Sequence, residues 1–205
     1  IAGIAIALLF YPIMGTLVLS KSMNPLWRIF LSRIIIWGTL PLLYKYALKV
    51  EGRPFFLWPE KKQNIFFYVV AIVALFALIY VAHVISSIPT RLGFHDNYTM
   101  LKYWKSILKQ NKAMLVFVGI TAGITEELLL RAYVLPRLSL LFKTGYWPVI
   151  ISSLLFSLLH LSYGSLTECI FTFLFGAVSA LCYQKYQNIK VLMVFHAAYD
   201  LLVMF

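Results

Sequence analysis

Two adjacent glutamates and an arginine, Glu126, Glu127 and Arg131, stand in the otherwise oily stretch ITEELLLRAYVLPRL, residues 124–138. Glu127 and Arg131 are four apart, so on a helix they share a face and can form a charge-assisted pair. Glu126 is turned about 100° away, and the places three and four residues beyond it hold Leu129 and Leu130. Its partner must come from another helix or from water. A carboxylate held near an ion pair but outside it suits a general base. The blander reading is a Glu–Arg clamp between helices, with the second glutamate facing a headgroup.

Two further groups could join it. In FSLLHLS, Phe156 and His160 lie one turn apart. A lone histidine in such a stretch is more often a packing or hydrogen-bonding residue than a catalyst, and only its company changes that balance. In VFHAAYD, His196 and Asp200 share a helix face with two alanines between them, small enough for another helix or a substrate to come close.

The elements that must position these groups are membrane spans. The chain is 62% hydrophobic and 12% charged over 205 residues, with a mean hydropathy of +0.86, far outside soluble domains. Apolar runs of about 17–25 residues fit helices crossing a core about 30 Å thick, whereas barrel strands would be half as long and alternate in polarity. The expected fold is all-α: a polytopic helical bundle of seven spans near 1–20, 29–48, 65–88, 113–138, 146–162, 166–184 and 189–205. The second is interrupted by Arg33, Pro41 and Lys45.

One membrane domain, 1–205, is expected, with 1–112 as scaffold and 113–205 as the motif-bearing core. The last four spans have short connections and must be antiparallel neighbours. The long connection at 89–112 holds Met100, Leu101, Trp104, Ile107 and Leu108 at helical spacing between lysines, the pattern of an amphipathic helix lying in the interface. Rise per residue places Glu126 about 20 Å from Lys112, and His196 about 9 Å from Lys190 at the opposite interface, so the two come nearly level. His160 comes out about 10 Å shallower, an offset that tilt or a narrowing funnel absorbs.

Several function classes drop out. The net charge of +11 flanks hydrophobic spans instead of forming a basic run with interleaved aromatics, which points to headgroups and topology and not to nucleic acid. Trp27, Trp58, Trp104 and Trp147 near segment ends fit an interfacial belt. Basic residues divide evenly between the two sets of loops and leave orientation open. Cys169 and Cys182 have neither disulfide nor metal-ligand spacing and read as small core residues. Two histidines with carboxylates could hold Zn²⁺, but HExxH is absent and the histidines sit on different helices, so zinc is the minority alternative and no cofactor is expected. With no Met and no basic n-region, the numbering is expected to start inside the first span.

Taken in order on successive spans, Glu126-Glu127-x-x-x-Arg131, Phe156-x-x-x-His160 and His196-x-x-x-Asp200 resemble the EExxxR, FxxxH and HxxxN/D signature of the CPBP family. These are the CAAX-protease and bacteriocin-processing (Abi) intramembrane glutamic proteases. The resemblance covers residues 113–205. It implies a hydrolase in which Glu126 activates water with help from His160, while His196 and Asp200 stabilise the oxyanion and Glu127, Arg131 and Phe156 support them. An asparagine at position 200 could donate to an oxyanion, but an ionised aspartate would repel it. Either Asp200 carries a proton or it hydrogen-bonds His196 and makes that ring the donor; the i,i+4 spacing favours the second.

The expected partners are a peptide or protein substrate and the bilayer. Ile-, Lys-, Phe- and Tyr-rich usage points to an AT-rich bacterium, hence a multi-pass protein of the bacterial cell membrane. The alternatives are a non-catalytic scaffold or bacteriocin-immunity factor that binds a membrane-protein partner through the same cavity, and a transporter, for which inverted-repeat signals are missing.

Overall fold

Asparagines and prolines start the long helices, because an Asx side chain satisfies an orphan backbone N–H and proline at the first position sacrifices none. A computed structural model describes residues 1–20, 22–142 and 145–204, with Tyr163 described by its backbone alone. Among these residues the fold is all-helical. Helix α1 spans Ala2–Val18. Helix α2, Pro25–Tyr46, starts where the Asn24 side chain accepts from Leu26 N–H at 2.9 Å, and continues into a wide π turn, Ala47–Glu51. Gly52 ends that turn at φ +62°, the left-handed conformation that glycine adopts without strain.

Helix α3, Ile65–Ser86, is capped by Asn64 and followed by the short α4, Ile88–Arg91. Helix α5 is Thr99–Gln110, and α6, Lys112–Glu126, begins at Asn111, whose side chain accepts from Met114 N–H. A second π turn, Glu127–Val134, joins α6 to α7, Leu135–Leu141. Helix α8, Trp147–Leu159, and a 3-10 turn, Leu161–Tyr163, precede α9, Leu166–Tyr186, and α10, Ile189–Met204.

The continuous rods Pro25–Glu51, Ile65–Arg91, Lys112–Leu141 and Leu166–Tyr186 are long and apolar enough to cross a membrane. The expected spans at 1–20, 146–162 and 189–205 correspond to the shorter α1, α8 and α10. Helix α3 turns Val69, Val73, Tyr80 and Val81 outward, a surface made for lipid rather than water. The chain is an integral membrane protein.

Small residues set the tightest packing. A Cβ on Gly123 would lie 2.5 Å from Ala197 N, and one on Gly119 3.1 Å from Leu201, so α6 and α10 run antiparallel almost backbone to backbone. A Cβ on Gly176 would lie 3.1 Å from the Ser153 Cα, while Ser157 donates to the Cys169 carbonyl at 2.7 Å, which pairs α8 with α9 in the same antiparallel sense. The main core fills the space between the second π turn and α8, α9 and α10 with Phe156, Phe175, Tyr183, Leu192 and Phe195.

A second, smaller cluster docks α5. Leu108 is buried with Ile29, Leu115 and Val118, and Trp104 and Ile107 pack beside it, whereas Met100 faces outward. The amphipathic connector therefore lies across the starts of α2 and α6. Long-range caps pin the N-termini of α9 and α10, which lie at opposite ends of α9. At one end Asp96 accepts from the backbone N–H groups of Leu166 and Thr167 at 2.6 and 3.2 Å. At the other, Glu60 accepts from Ile189 N–H, and Asn188 donates to the Lys61 carbonyl and the Tyr68 hydroxyl.

Candidate active site

The helix bearing the two glutamates is not regular where it matters. Pro136 has no N–H, and its ring opposes the carbonyl four residues back, so the chain before it cannot keep the ordinary α ladder. The backbone widens into a π turn from Glu127 onward, a device that recurs at functional sites. The span expected near 113–138 is present as a continuous rod, and its pitch departs from regular α-helix from Glu127 onward.

Glu127 is wholly buried. Its Oε2 lies 3.4 Å from Arg131 Nε, the i,i+4 pair, and its Oε1 lies 2.8 Å from Nδ1 of His196 on α10. A carboxylate paired with a guanidinium can only accept, so Nδ1 carries the proton of that bond. Arg131 is 1% exposed, with its guanidinium carbon 4.4 Å from the centre of the Phe156 ring. That ring face takes up positive charge for which the terminal nitrogens find no acceptor among the described residues.

With Nδ1 committed, the other ring nitrogen of His196 points at the two carboxylates that keep some solvent contact. Nε2 lies 4.0 Å from Oε2 of Glu126 and 3.8 Å from Oδ1 of Asp200, whose side chains are 18% and 16% exposed. Phe175, its ring centre 4.7 Å from the imidazole, and the edge of Phe156 wall the ring in. The expected hydrogen bond between Asp200 and His196 gives way to the one with Glu127. The buried glutamate approaches the ring at hydrogen-bond distance from across the interface, and Asp200, one turn along the same helix, is left at the longer distance from the opposite nitrogen.

His160 follows the last residue of α8 rather than sitting within it. Its Nδ1 lies 2.8 Å from the Phe156 carbonyl oxygen and so donates to it. Its ring packs on Phe156 with centres 4.6 Å apart, and through Phe156 it joins the cluster of Arg131 and His196. Residues from the three sequence motifs thus come together around one imidazole and one phenyl ring. Among the described residues no three His, Cys, Asp or Glu side chains are arranged as ligands of one metal ion.

One polar assembly escaped the sequence reading. Arg137, 6% exposed, donates from Nε and Nη2 to Oε2 of Glu51 at 2.8 and 2.6 Å, while the Tyr133 hydroxyl donates to the other oxygen at 2.9 Å. The Phe55, Pro54 and Tyr133 carbonyls accept the remaining donors. The rod that carries the site is thereby clamped to the end of α2. An arginine six residues beyond Arg131, and Glu51 as one of two acids in the basic segment 45–62, were the hints.

Residues 109–202, which hold every one of these motif positions, match a family model described as Rce1-like, type II CAAX prenyl endopeptidase. Over that segment, a little under half of the chain, the protein is similar to the Rce1-like family. Neither a curated protein nor a solved structure matches the chain. The Rce1-like segment starts at the end of α5 and stops within α10, so it takes in the α6–α10 pair and the second π turn and leaves α1 to α4 outside.

Proposed function

We propose that the chain is an intramembrane endopeptidase that cleaves small membrane-associated peptides or proteins by a glutamate-activated water. The observation that carries this reading is the division of labour between the adjacent glutamates: Glu127 is spent on Arg131 and His196, while Glu126 keeps solvent contact and lies 4.0 Å from His196 Nε2. In the proposed reaction Glu126 takes a proton from water as the oxygen attacks the scissile carbonyl, with His160 helping to orient that water. The developing oxyanion is met by Nε2 of His196, which can donate when it carries a proton because Nδ1 is already bound to Glu127. Glu126 then passes its proton to the departing amine, and the C–N bond breaks. Asp200, Phe156 and Arg131 hold the imidazole and the glutamates in place, and no step passes through a metal.

Purified wild type and Glu126→Gln, incubated in lipid with membrane peptides of the host, test the proposal by mass spectrometry of the products. Wild type should generate peptides that Glu126→Gln does not, at a rate unchanged by chelator. Identical product sets would overturn the enzyme in favour of a binding scaffold, and chelator sensitivity would overturn the metal-free mechanism.

A further inference from the structure

Arg33 is a charge at membrane depth that the proposed chemistry leaves unused. It lies eight residues into α2, about 12 Å along the helix, and is half-buried. A guanidinium so placed is costly unless it meets an opposite charge or a functional group. Among the described residues its hydrogen bond is to a neutral hydroxyl, Ser32 Oγ, 3.3 Å from Nε, and no carboxylate forms a direct ion pair with it.

The packing register shows what it faces. Helices α2 and α6 run parallel, with Phe30 against Phe117 at 5.6 Å between ring centres and Trp37 Nε1 donating to Thr121 Oγ1 at 3.4 Å. Between those two contacts Arg33 comes level with Gly119. A Cβ added to Gly119 would lie 3.5 Å from the Cβ of Asp200, so at this level α6 presents bare backbone to α10 beside Asp200. Arg33 is also among the charges whose field reaches Asp200, together with His196, Glu126 and Glu127. In a low-dielectric interior such a field acts beyond contact distance.

We infer that Arg33 is the counter-charge of Asp200, a positioning residue that the N-terminal half supplies to a site otherwise built from residues 126 to 200. The inference rests on the proposed protease reading for its catalytic consequence. An asparagine at position 200 would need no such partner, whereas an aspartate beside a developing oxyanion needs its charge drawn away. The helix outside the Rce1-like segment and the aspartate inside it are therefore matched to each other.

The test is a double-mutant cycle on the purified protein in lipid nanodiscs, using a peptide that wild type cleaves and Glu126→Gln does not. Arg33→Gln should lower kcat about tenfold or more and Arg33→Lys should recover most of the loss, whereas Arg33→Gln added to Asp200→Asn should cost little beyond what Asp200→Asn costs by itself. Equal losses from Arg33→Gln in the aspartate and asparagine backgrounds, or no loss at all, would overturn the pairing. Thermal unfolding is followed in parallel. If Arg33→Gln alone fails to fold, its rescue by Asp200→Asn supports the pair and persistent misfolding refutes it. Because that readout needs no cleavage, a wild type without activity would sink the protease reading while leaving the pairing separately decided.

Discussion

Oε1 of Glu127 sits 2.8 Å from Nδ1 of His196, so the imidazole is clamped by the same carboxylate that holds Arg131. Its sequence neighbour Glu126 stays outside that clamp, and replacing the two should have opposite signatures. Glu127→Ala leaves a buried guanidinium uncompensated and is expected to cost roughly 3–5 kcal/mol of stability. Glu126→Ala should change stability by under about 1 kcal/mol and abolish cleavage. Thermal unfolding in detergent, read beside product formation, checks both.

The contact between Gly123 and Ala197 leaves no room for a methyl group, since a Cβ would come 2.5 Å from a backbone nitrogen. Gly123→Ala must therefore push α10 away from α6, at about 1–3 kcal/mol. His196 rides on α10, so cleavage should fall further than the change in melting temperature accounts for. Unaltered activity in a destabilised variant would show that the imidazole does not depend on this spacing.

Arg137 and Glu51 should couple strongly. Each single alanine variant strands a mostly buried charge and is expected to lose about 3–5 kcal/mol, whereas the double variant should lose clearly less than the sum. Additive losses in unfolding measurements would mean that the pair is not the clamp between α2 and α7.

Asp96 gives the fold a pH dependence outside the membrane spans. Burial works against its charge, but hydrogen bonds from Thr167, Leu166 and Tyr98 outweigh it and bring the carboxyl down to about 2. With an unfolded value near 4, its contribution is complete above about pH 4 and is lost as pH falls toward 2. Amide exchange at Leu166 and Thr167, corrected for its intrinsic pH dependence, should lose protection over that window. Asp96→Ala should show the same loss at neutral pH.

Much of the site was legible because i,i+4 spacing is local geometry. Glu127 with Arg131, and His196 with Asp200, share faces on any helix, and only an inward face is tolerable for them in lipid. The level of Glu126 against His196 followed from rise per residue. The bond from Glu127 to His196 was not legible, because it crosses 69 residues of sequence and depends on how α10 is rotated. The π turn was hidden by uniformly apolar surroundings, in which no periodicity reveals a change of pitch. Asp96 lies in a loop and Glu51 at the end of the first π turn, and the partners of both are fixed only once the helices have packed.

The wide turn at Glu127–Val134 also sets the aim of everything after it on the same rod. Upstream side chains address the imidazole, and downstream ones, Tyr133 and Arg137, address Glu51 on a different neighbour. Deleting a single residue from Leu128–Leu130 would rotate the downstream pair by about 100° relative to the upstream one. Catalytic geometry and anchorage are thus phased by one backbone irregularity, and neither can be re-indexed without losing the other.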